Sequence, residues 1–280
     1  MIEVLAAGPL ATVQDAGRPG YAHLGVAPSG AADRAAARLA NRLVGNRQDA
    51  AVIEVVLGGL AVRLHRAGTL ACTGAEAAPS WNTPVTLRAG AVVRMARPAT
   101  GLRSYLAVRG GLAVEATLGS RSSDTLGGLG PAPLRDGDLL PIGTDVADEV
   151  SGAHGVPSPV PCRLRVIAGP RADWFAPGTL ALLTATAWTV RPDSDRVGIR
   201  LDGPELPRRR AGELPSEPTL PGALQVPPDG RPILLGPDGP TTGGYPVIAV
   251  VADADLDAAF QWRPGQTVRF SRDRRAGSPT

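Results

Sequence analysis

The sequence contains no lysine; all 29 of its basic residues are arginine. Without a lysine amine the chain can form no Schiff base and offers no P-loop lysine to a phosphate. It also has no side chain on which biotin or lipoyl could be carried. Aromatic residues make up only 4% of the chain, and the net charge is a modest +3. The arginines are scattered, and their densest run, Arg208-Arg209-Arg210, lies among prolines. This pattern argues against nucleic-acid binding. Cys72 and Cys162 are far apart and outside any CxxC context, and His23, His65 and His154 are isolated. No metal site is therefore expected, and both cysteines, sitting in apolar stretches, are expected as buried free thiols. No run approaches the about 20 apolar residues of a membrane span, and MIEVLAAGPL lacks the basic start of a signal peptide. A cytoplasmic protein with no membrane contact is expected. No serine sits in a GxSxG turn, no histidine lies beside a nucleophile, and no carboxylate pair has usable spacing. A self-contained hydrolase is hard to build from such a set.

What is abundant is punctuation. Glycine (35) and proline (28) separate short runs rich in Val, Ile and Leu, the pattern of many short strands. Strands are predicted over 2–5, 10–13, 51–56, 60–64, 69–73, 85–87, 91–95 and 103–108. More follow over 163–167, 187–190, 199–201, 232–235, 246–251 and 266–270. One stretch has helical period: Ala32, Ala35, Ala36, Leu39, Ala40, Leu43 and Val44 recur on one face. A helix is predicted over 31–44, with Ser29 as N-cap and Gly45 just past its end. A short helix is predicted over 253–260 with Asp253 as N-cap. Residues 144–161 hold Pro157, Pro159 and Pro161 without periodicity and read as a linker. The strand-then-Gly-Pro of IEVLAAGP returns as RLRVIAGP after it. The predicted organisation is an N-terminal domain over 1–150, a C-terminal domain over 160–272 and a frayed tail over 273–280.

Five constellations could carry chemistry. Gln14-Asp15-x-Gly17-Arg18 sets an amide, a carboxylate and a guanidinium among glycines. Arg18 could clamp a carboxylate bidentately, with Asp15 as a base or as its brace; a braced surface turn is the other reading. Ser29 and Asp33 at the helix start could receive an anion or simply cap. Gly119-Ser120-Arg121-Ser122-Ser123 offers small donors around Arg121 for an oxyanion, or forms a hydroxyl-rich turn. Arg196 and Arg200 would share one face if their segment is a strand. Ser216-Glu217, Gln225, Asp238 and Thr241-Thr242-Gly243-Gly244-Tyr245 form a C-terminal set that places hydroxyls and open backbone at a strand mouth, a usual place for binding residues, or makes a wide β-turn.

Taken together, TVQDAGRPGY (12–21), SGAADRAAARLANRLVGN (29–46), the Glu54 strand, YLAVRGG (105–111), LGSRSS (118–123), SDRVGIRL (194–201), GALQVPPDGRPILL (222–235) and TTGGYPVIAVV (241–251) resemble the allophanate hydrolase subunit 2 family, also called the biotin-dependent carboxyltransferase family. The resemblance runs from Ile2 to about Phe270. It implies a mainly β chain of two cyclophilin-like β-barrel domains packed together, with a site between them. It implies the C component of an ATP-dependent 5-oxoprolinase, opening 5-oxoproline to glutamate with a LamB/YcsF-like A subunit and a KipI-like B subunit. Two alternatives stay open. One is a carboxyltransferase component moving a carboxyl group from carboxybiotin on a separate carrier to urea or a related amide. The other is a non-catalytic, KipA-like regulator of a KipI-like kinase inhibitor. No covalently bound cofactor is implied; ATP would act through the complex. The matched motifs carry over Asp15, Arg18, Thr241, Thr242 and Tyr245 as catalytic positions. Gln14, Ser29, Asp33, Asn41, Arg121, Arg196, Arg200, Ser216, Glu217 and Gln225 carry over as substrate-binding positions. The stretch after Ser123, DTLGGLGPAP, is shorter than the family's usual glycine-rich loop.

Overall fold

The computed structural model of the chain describes residues 1–77, 82–152, 160–210, 212 and 214–273. The tail predicted over 273–280 lies outside the described residues beyond Asp273, as do residues 153–159 of the predicted linker, His154 among them. The protein is mainly β, with 32% strand and 12% helix. It forms two compact units. One comprises Met1–Pro19, Ser29–Asp124 and Gly128–Pro159; the other comprises Gly20–Pro28, Thr125–Gly127 and Val160–Thr280.

The first unit holds nine strands among its described residues: β1 (Ile2–Ala6), β2 (Leu10–Gln14), β3 (Val52–Val56), β4 (Ala61–Leu64), β5 (Gly68–Gly74), β6 (Val85–Leu87), β7 (Val92–Arg94), β8 (Arg103–Val108) and β9 (Leu139–Leu140). They form a five-stranded sheet in the order β2-β3-β8-β5-β6 and a four-stranded sheet in the order β7-β4-β1-β9. Alternating residues of both sheets, such as Val4, Val13, Ile53, Val62, Leu70 and Leu106, meet in one buried core. On the other face of the larger sheet lies α1 (Arg34–Leu43), packed on β5 and β8. Its buried side is mostly alanine, which lets the helix approach Val52, Ala71, Tyr105 and Ala107 closely.

The helix begins later than its apolar period predicts, and Asp33 rather than Ser29 caps it, accepting from Ala36 N at 2.9 Å. The reason is visible in the three preceding amides. Ala31 N donates to Asp15 O (3.0 Å), Ala32 N to Glu54 Oε2 (2.9 Å) and Asp33 N to Tyr105 Oη (2.7 Å). Acceptors far away in sequence hold these groups in place of helical turns. Gly45, at φ 71°, follows the helix as predicted.

The second unit holds β10 (Arg163–Ala168), β11 (Trp188–Val190), β12 (Gly198–Asp202), β13 (Glu217–Pro218), β14 (Ala223–Gln225), β15 (Ile233–Leu235), β16 (Thr242–Gly243), β17 (Val247–Val251) and β18 (Thr267–Arg272). Seven of them close a barrel in the order β10-β17-β14-β15-β12-β11-β18. The seal is the parallel pairing of β10 with β18; the other neighbours are antiparallel. Closure leaves no open sheet edge in this barrel. β13 and β16 pair as a separate two-stranded ribbon.

The helix α2 (Thr179–Ala185) was not predicted, because TLALLTA has no polar face to reveal a period and only Thr179 and Leu183 are buried. The helix α3 (Asp253–Ala259) is present, but Asp253 is its first residue and Ala252 its N-cap. Cys162 is exposed, contrary to expectation, because it precedes β10 instead of pointing into the barrel; Cys72 on β5 is buried. The echo between the two halves has a steric basis. A Cβ on Gly8, after β1, would lie 2.5 Å from Gly58 O, and one on Gly169, after β10, would lie 2.4 Å from Val247 O. Backbone passes so close at both points that only glycine fits. No helix among the described residues is long and apolar enough to cross a membrane.

Candidate functional site

In the first unit the end of β2 meets the segment 117–123. The Asp15 carboxylate accepts four hydrogen bonds: Oδ1 from Gly17 N (2.8 Å), Ser120 Oγ (2.6 Å) and Ser122 Oγ (2.6 Å), and Oδ2 from Arg121 N (2.6 Å). A carboxylate so engaged is a fixed acceptor that organises the loop. Gln14 is fully buried and donates through Nε2 to Thr12 Oγ1 (3.0 Å) and Ser123 O (2.9 Å). Ser29, in left-handed backbone at φ 53°, donates Oγ to the same carbonyl at 3.2 Å. Arg18 is 2% exposed; Nε donates to Thr117 O at 3.3 Å and Nη2 to Ser122 O. Arg121 turns its Nε onto Val114 O at 2.8 Å. The fold thus gathers Gln14, Asp15, Arg18, Ser29 and Arg121 around one loop.

Three atoms of this cluster, Gln14 Oε1, Arg18 Nη1 and Ser123 Oγ, are buried and find no partner among the described residues. Buried polar atoms are ordinarily satisfied, so these are the groups that a bound polar molecule would engage. Gly130 closes over Arg18: a Cβ there would stand 2.1 Å from Ser122 O and 3.1 Å from Arg18 Nη2.

Asp33 and Asn41 lie apart from this cluster, at the two ends of α1. Asn41 Nδ2 donates to Ala50 O at 2.7 Å, and its Oδ1 accepts from Asn46 Nδ2 at 3.1 Å. Asn46 in turn bridges Val108 O and Gly110 N. A second buried network lies beneath the start of α1. Tyr105 Oη donates to Glu54 Oε2 at 2.8 Å, and Arg103 Nε lies 3.4 Å from Glu54 Oε1. Burial, reinforced by the neighbouring Glu54 and Asp33 carboxylates, pushes the Tyr105 phenol well above its usual range.

In the second unit the ribbon brings the C-terminal residues together. Glu217 pairs with Gly243 and Pro218 with Thr242, so Ser216-Glu217 runs beside Thr241–Tyr245. Gln225 is buried below and donates Nε2 to Tyr245 O at 3.4 Å. A Cβ on Gly243 would lie 2.8 Å from that amide nitrogen. Thr242, Tyr245 and Ser216 are exposed at the rim. Arg171 grips Glu217 through both Nε and Nη2, and this bond holds the Glu217 carboxyl below its ordinary value.

Arg196 and Arg200 do not share a strand face as predicted. β12 begins only at Gly198, because Asp195 Oδ1 accepts from Val197 N and Gly198 N and makes the preceding residues a turn. Arg196 points inward at 1% exposure and forks onto Asp238, with Nε to Oδ2 at 2.8 Å and Nη2 to Oδ1 at 2.9 Å. Arg200 stays exposed, 3.7 Å from Asp193. Thr125 N and Oγ1 also donate to Asp238 Oδ2, at 2.9 and 2.8 Å. Sequence reasoning groups Asp238 with the C-terminal constellation, as a carboxylate between two glycine-proline turns just before the Thr-Thr-Gly-Gly run, without carrying it over as a site position; it passes over Thr125, Glu54, Tyr105 and Arg171. Among the described residues no group of three His, Cys, Asp or Glu could hold a metal ion.

Comparison with known proteins agrees with this architecture. The chain is 39% identical to the C component of 5-oxoprolinase from Escherichia coli (strain K12), over 96% of this chain and 90% of that protein. It superposes on the crystal structure of TTHA0988 with a TM-score of 0.87 at 37% identity, covering 96% of this chain and 55% of that one. It superposes on the Kluyveromyces lactis urea carboxylase with a TM-score of 0.89 at 29% identity, covering 96% of this chain and 27% of that one. The chain therefore spans about half of the first solved structure and about a quarter of the second. The family model described as carboxyltransferase domain, subdomain A and B, matches residues 24–272. With nearly the whole chain matched and its fold shared, this protein belongs to the carboxyltransferase domain family, subdomains A and B.

Proposed function

We propose that this chain is the C component of an ATP-dependent 5-oxoprolinase, which opens the lactam of 5-oxoproline to glutamate with a LamB/YcsF-like A subunit and a KipI-like B subunit. The observation that carries this reading is the near end-to-end match to the C component of a bacterial 5-oxoprolinase. The chemistry of the residues supports a role inside a complex. Hydrolysis of a lactam builds negative charge on the carbonyl oxygen, and preorganised donors stabilise it. The exposed hydroxyls of Thr242 and Tyr245, on a ribbon braced by Glu217 and Gln225, suit that task. Of the substrate-binding arginines carried over by the resemblance, Arg196 is engaged by Asp238 and Arg200 is exposed beside Asp193. In the first unit, Arg18 Nη1 has no partner among the described residues, which leaves it available to an anion. ATP use falls to the partner subunits. Reconstitution tests the proposal: the three purified subunits with ATP and 5-oxoproline are expected to release glutamate. Full activity without this chain would overturn it.

A second reading is favoured by the family model and by the likeness to urea carboxylase. In it the chain accepts a carboxyl group from carboxybiotin and delivers it to urea or a related amide. Because these residues include no lysine, the biotin is carried outside them. Carboxylation of urea on adding a biotinylated carrier, biotin carboxylase, ATP and bicarbonate would favour it over lactam opening.

A further inference from the structure

We propose that Asp238 is a positioning residue that sets the geometry of the Thr241–Tyr245 loop and holds Thr125–Gly127 in place. This rests on the proposed reading of that loop as the part of the chain that meets the reacting carbonyl. Asp238 is 0% exposed and Arg196 1% exposed, and the two are joined by a two-pronged ion pair. The backbone doubles the link, since Asp238 N donates to Arg196 O at 3.2 Å and Gly236 N to Val197 O at 2.9 Å. The turn Gly236–Pro240 is therefore clamped on both sides, with Gly239 N closing it on Gly236 O at 3.0 Å. The next residue, Thr241, starts the loop in question. At its far side the same carboxylate takes both the amide and the hydroxyl of Thr125.

A buried ion pair is a weak source of net stability, because desolvation offsets the attraction. It is a strong source of geometry, because a fork on a carboxylate admits one orientation. Asp238 thus anchors, by one side chain, a turn leading into the hydroxyl-bearing loop and the distant residue Thr125. Moving such an anchor by an ångström or so displaces groups that must be in place when charge develops.

Two variants and two readouts test this on the assembled complex and on the whole chain alone. Asp238→Asn keeps the shape but removes the charge opposite Arg196. Arg196→Met with Asp238→Leu removes both charges, a replacement that folds tolerate well. Both are expected to retain a cooperative melt. Backbone hydrogen exchange is expected to quicken over 125–127 and 236–246 and to stay at the wild-type level in β10, β17 and β18. In the complex, kcat and kcat/KM for 5-oxoproline are expected to fall together by about 100-fold. Arg196→Lys, which keeps the charge but not the fork, is expected to recover only part of this. Exchange that rises throughout the barrel, or a double variant with wild-type kcat, would overturn the positioning role. A wild-type complex without 5-oxoprolinase activity would overturn the functional reading instead, and the exchange pattern would still decide the role of Asp238.

Discussion

Asp15 and Ser122, 107 residues apart, hold each other twice: the Ser122 hydroxyl donates to Asp15 Oδ1 at 2.6 Å and accepts from Asp15 N at 3.1 Å. One hydroxyl thereby serves a main-chain donor and a side-chain acceptor in a site where Ser122 is fully buried. Removing it takes the acceptor from the Asp15 amide and one donor from the carboxylate. Ser122→Ala is expected to cost about 1–3 kcal/mol, read as a lower midpoint in urea unfolding with an unchanged slope. An unchanged midpoint would mean that the remaining bonds from Ser120, Arg121, Arg18 and Gln14 hold the loop without it.

Tyr105 links the start of α1 to the buried Glu54 carboxylate. Its folded pKa is raised by burial first and then by Glu54 and Asp33. A raised value means that the stability it confers is present below the unfolded pKa of about 10 and is lost as pH rises above it. Tyr105→Phe is expected to leave the native phenolate titration unchanged up to about pH 11. In denaturant it should remove one tyrosine equivalent. A missing equivalent in the native titration would show that Tyr105 ionises without unfolding.

The two thiols differ in the same way. Burial pushes Cys72 from 9.0 up to about 12, whereas Cys162 is exposed. Ellman's reagent at pH 8 is expected to modify one thiol at once and the second only in denaturant. Cys162→Ser should abolish the fast phase. Because the folded form of Cys72 prefers its proton, its contribution to stability fades as pH rises from about 9. Cys72→Ala should therefore flatten the alkaline decline in melting temperature.

Arg171 and Glu217 carry the opposite sign. The hydrogen bond from Arg171 lowers the Glu217 pKa below 4.5, so its contribution is present above that value and is lost as pH falls through the folded pKa. The pair lies at the ribbon of β13 and β16, so the loss is local. Glu217→Gln is expected to loosen Thr242 and Gly243 at pH 7, seen as faster amide exchange there, and to abolish the acid-induced loosening that the wild type shows. Equal exchange in both proteins at pH 7 would show that β-pairing alone sets the ribbon.

Much of the fold was legible because its signals are local. Alternation in 163–167 and 266–270, the glycine before each turn and the alanine face of α1 depend on neighbours one to four residues away. Where the prediction slipped, a distant partner decided. The helix starts at Arg34 because Glu54 and Tyr105 take the preceding amides. Arg196 leaves the strand face because Asp238 draws it inward. The exposure of Cys162 depends on where β10 begins.

The gathering of Gln14, Asp15, Arg18, Ser29 and Arg121 agrees with motifs that sequence alone singled out, and so does the meeting of Glu217 with Thr242–Gly243. The bonds that give those residues their tasks did not show in the sequence, since no period links positions separated by 42 or 113 residues.

By itself the sequence determined the β-rich class, the one long helix and the absence of any lysine amine, because composition and short-range pattern are enough for these. The tertiary structure decided that Asp15 is a saturated acceptor, that Arg196 belongs to Asp238, and that Gly20–Pro28 and Thr125–Gly127 fold with the C-terminal unit. These depend on which buried charges and hydroxyls find each other when the chain collapses. Only burial makes an unmet partner costly enough to choose among them.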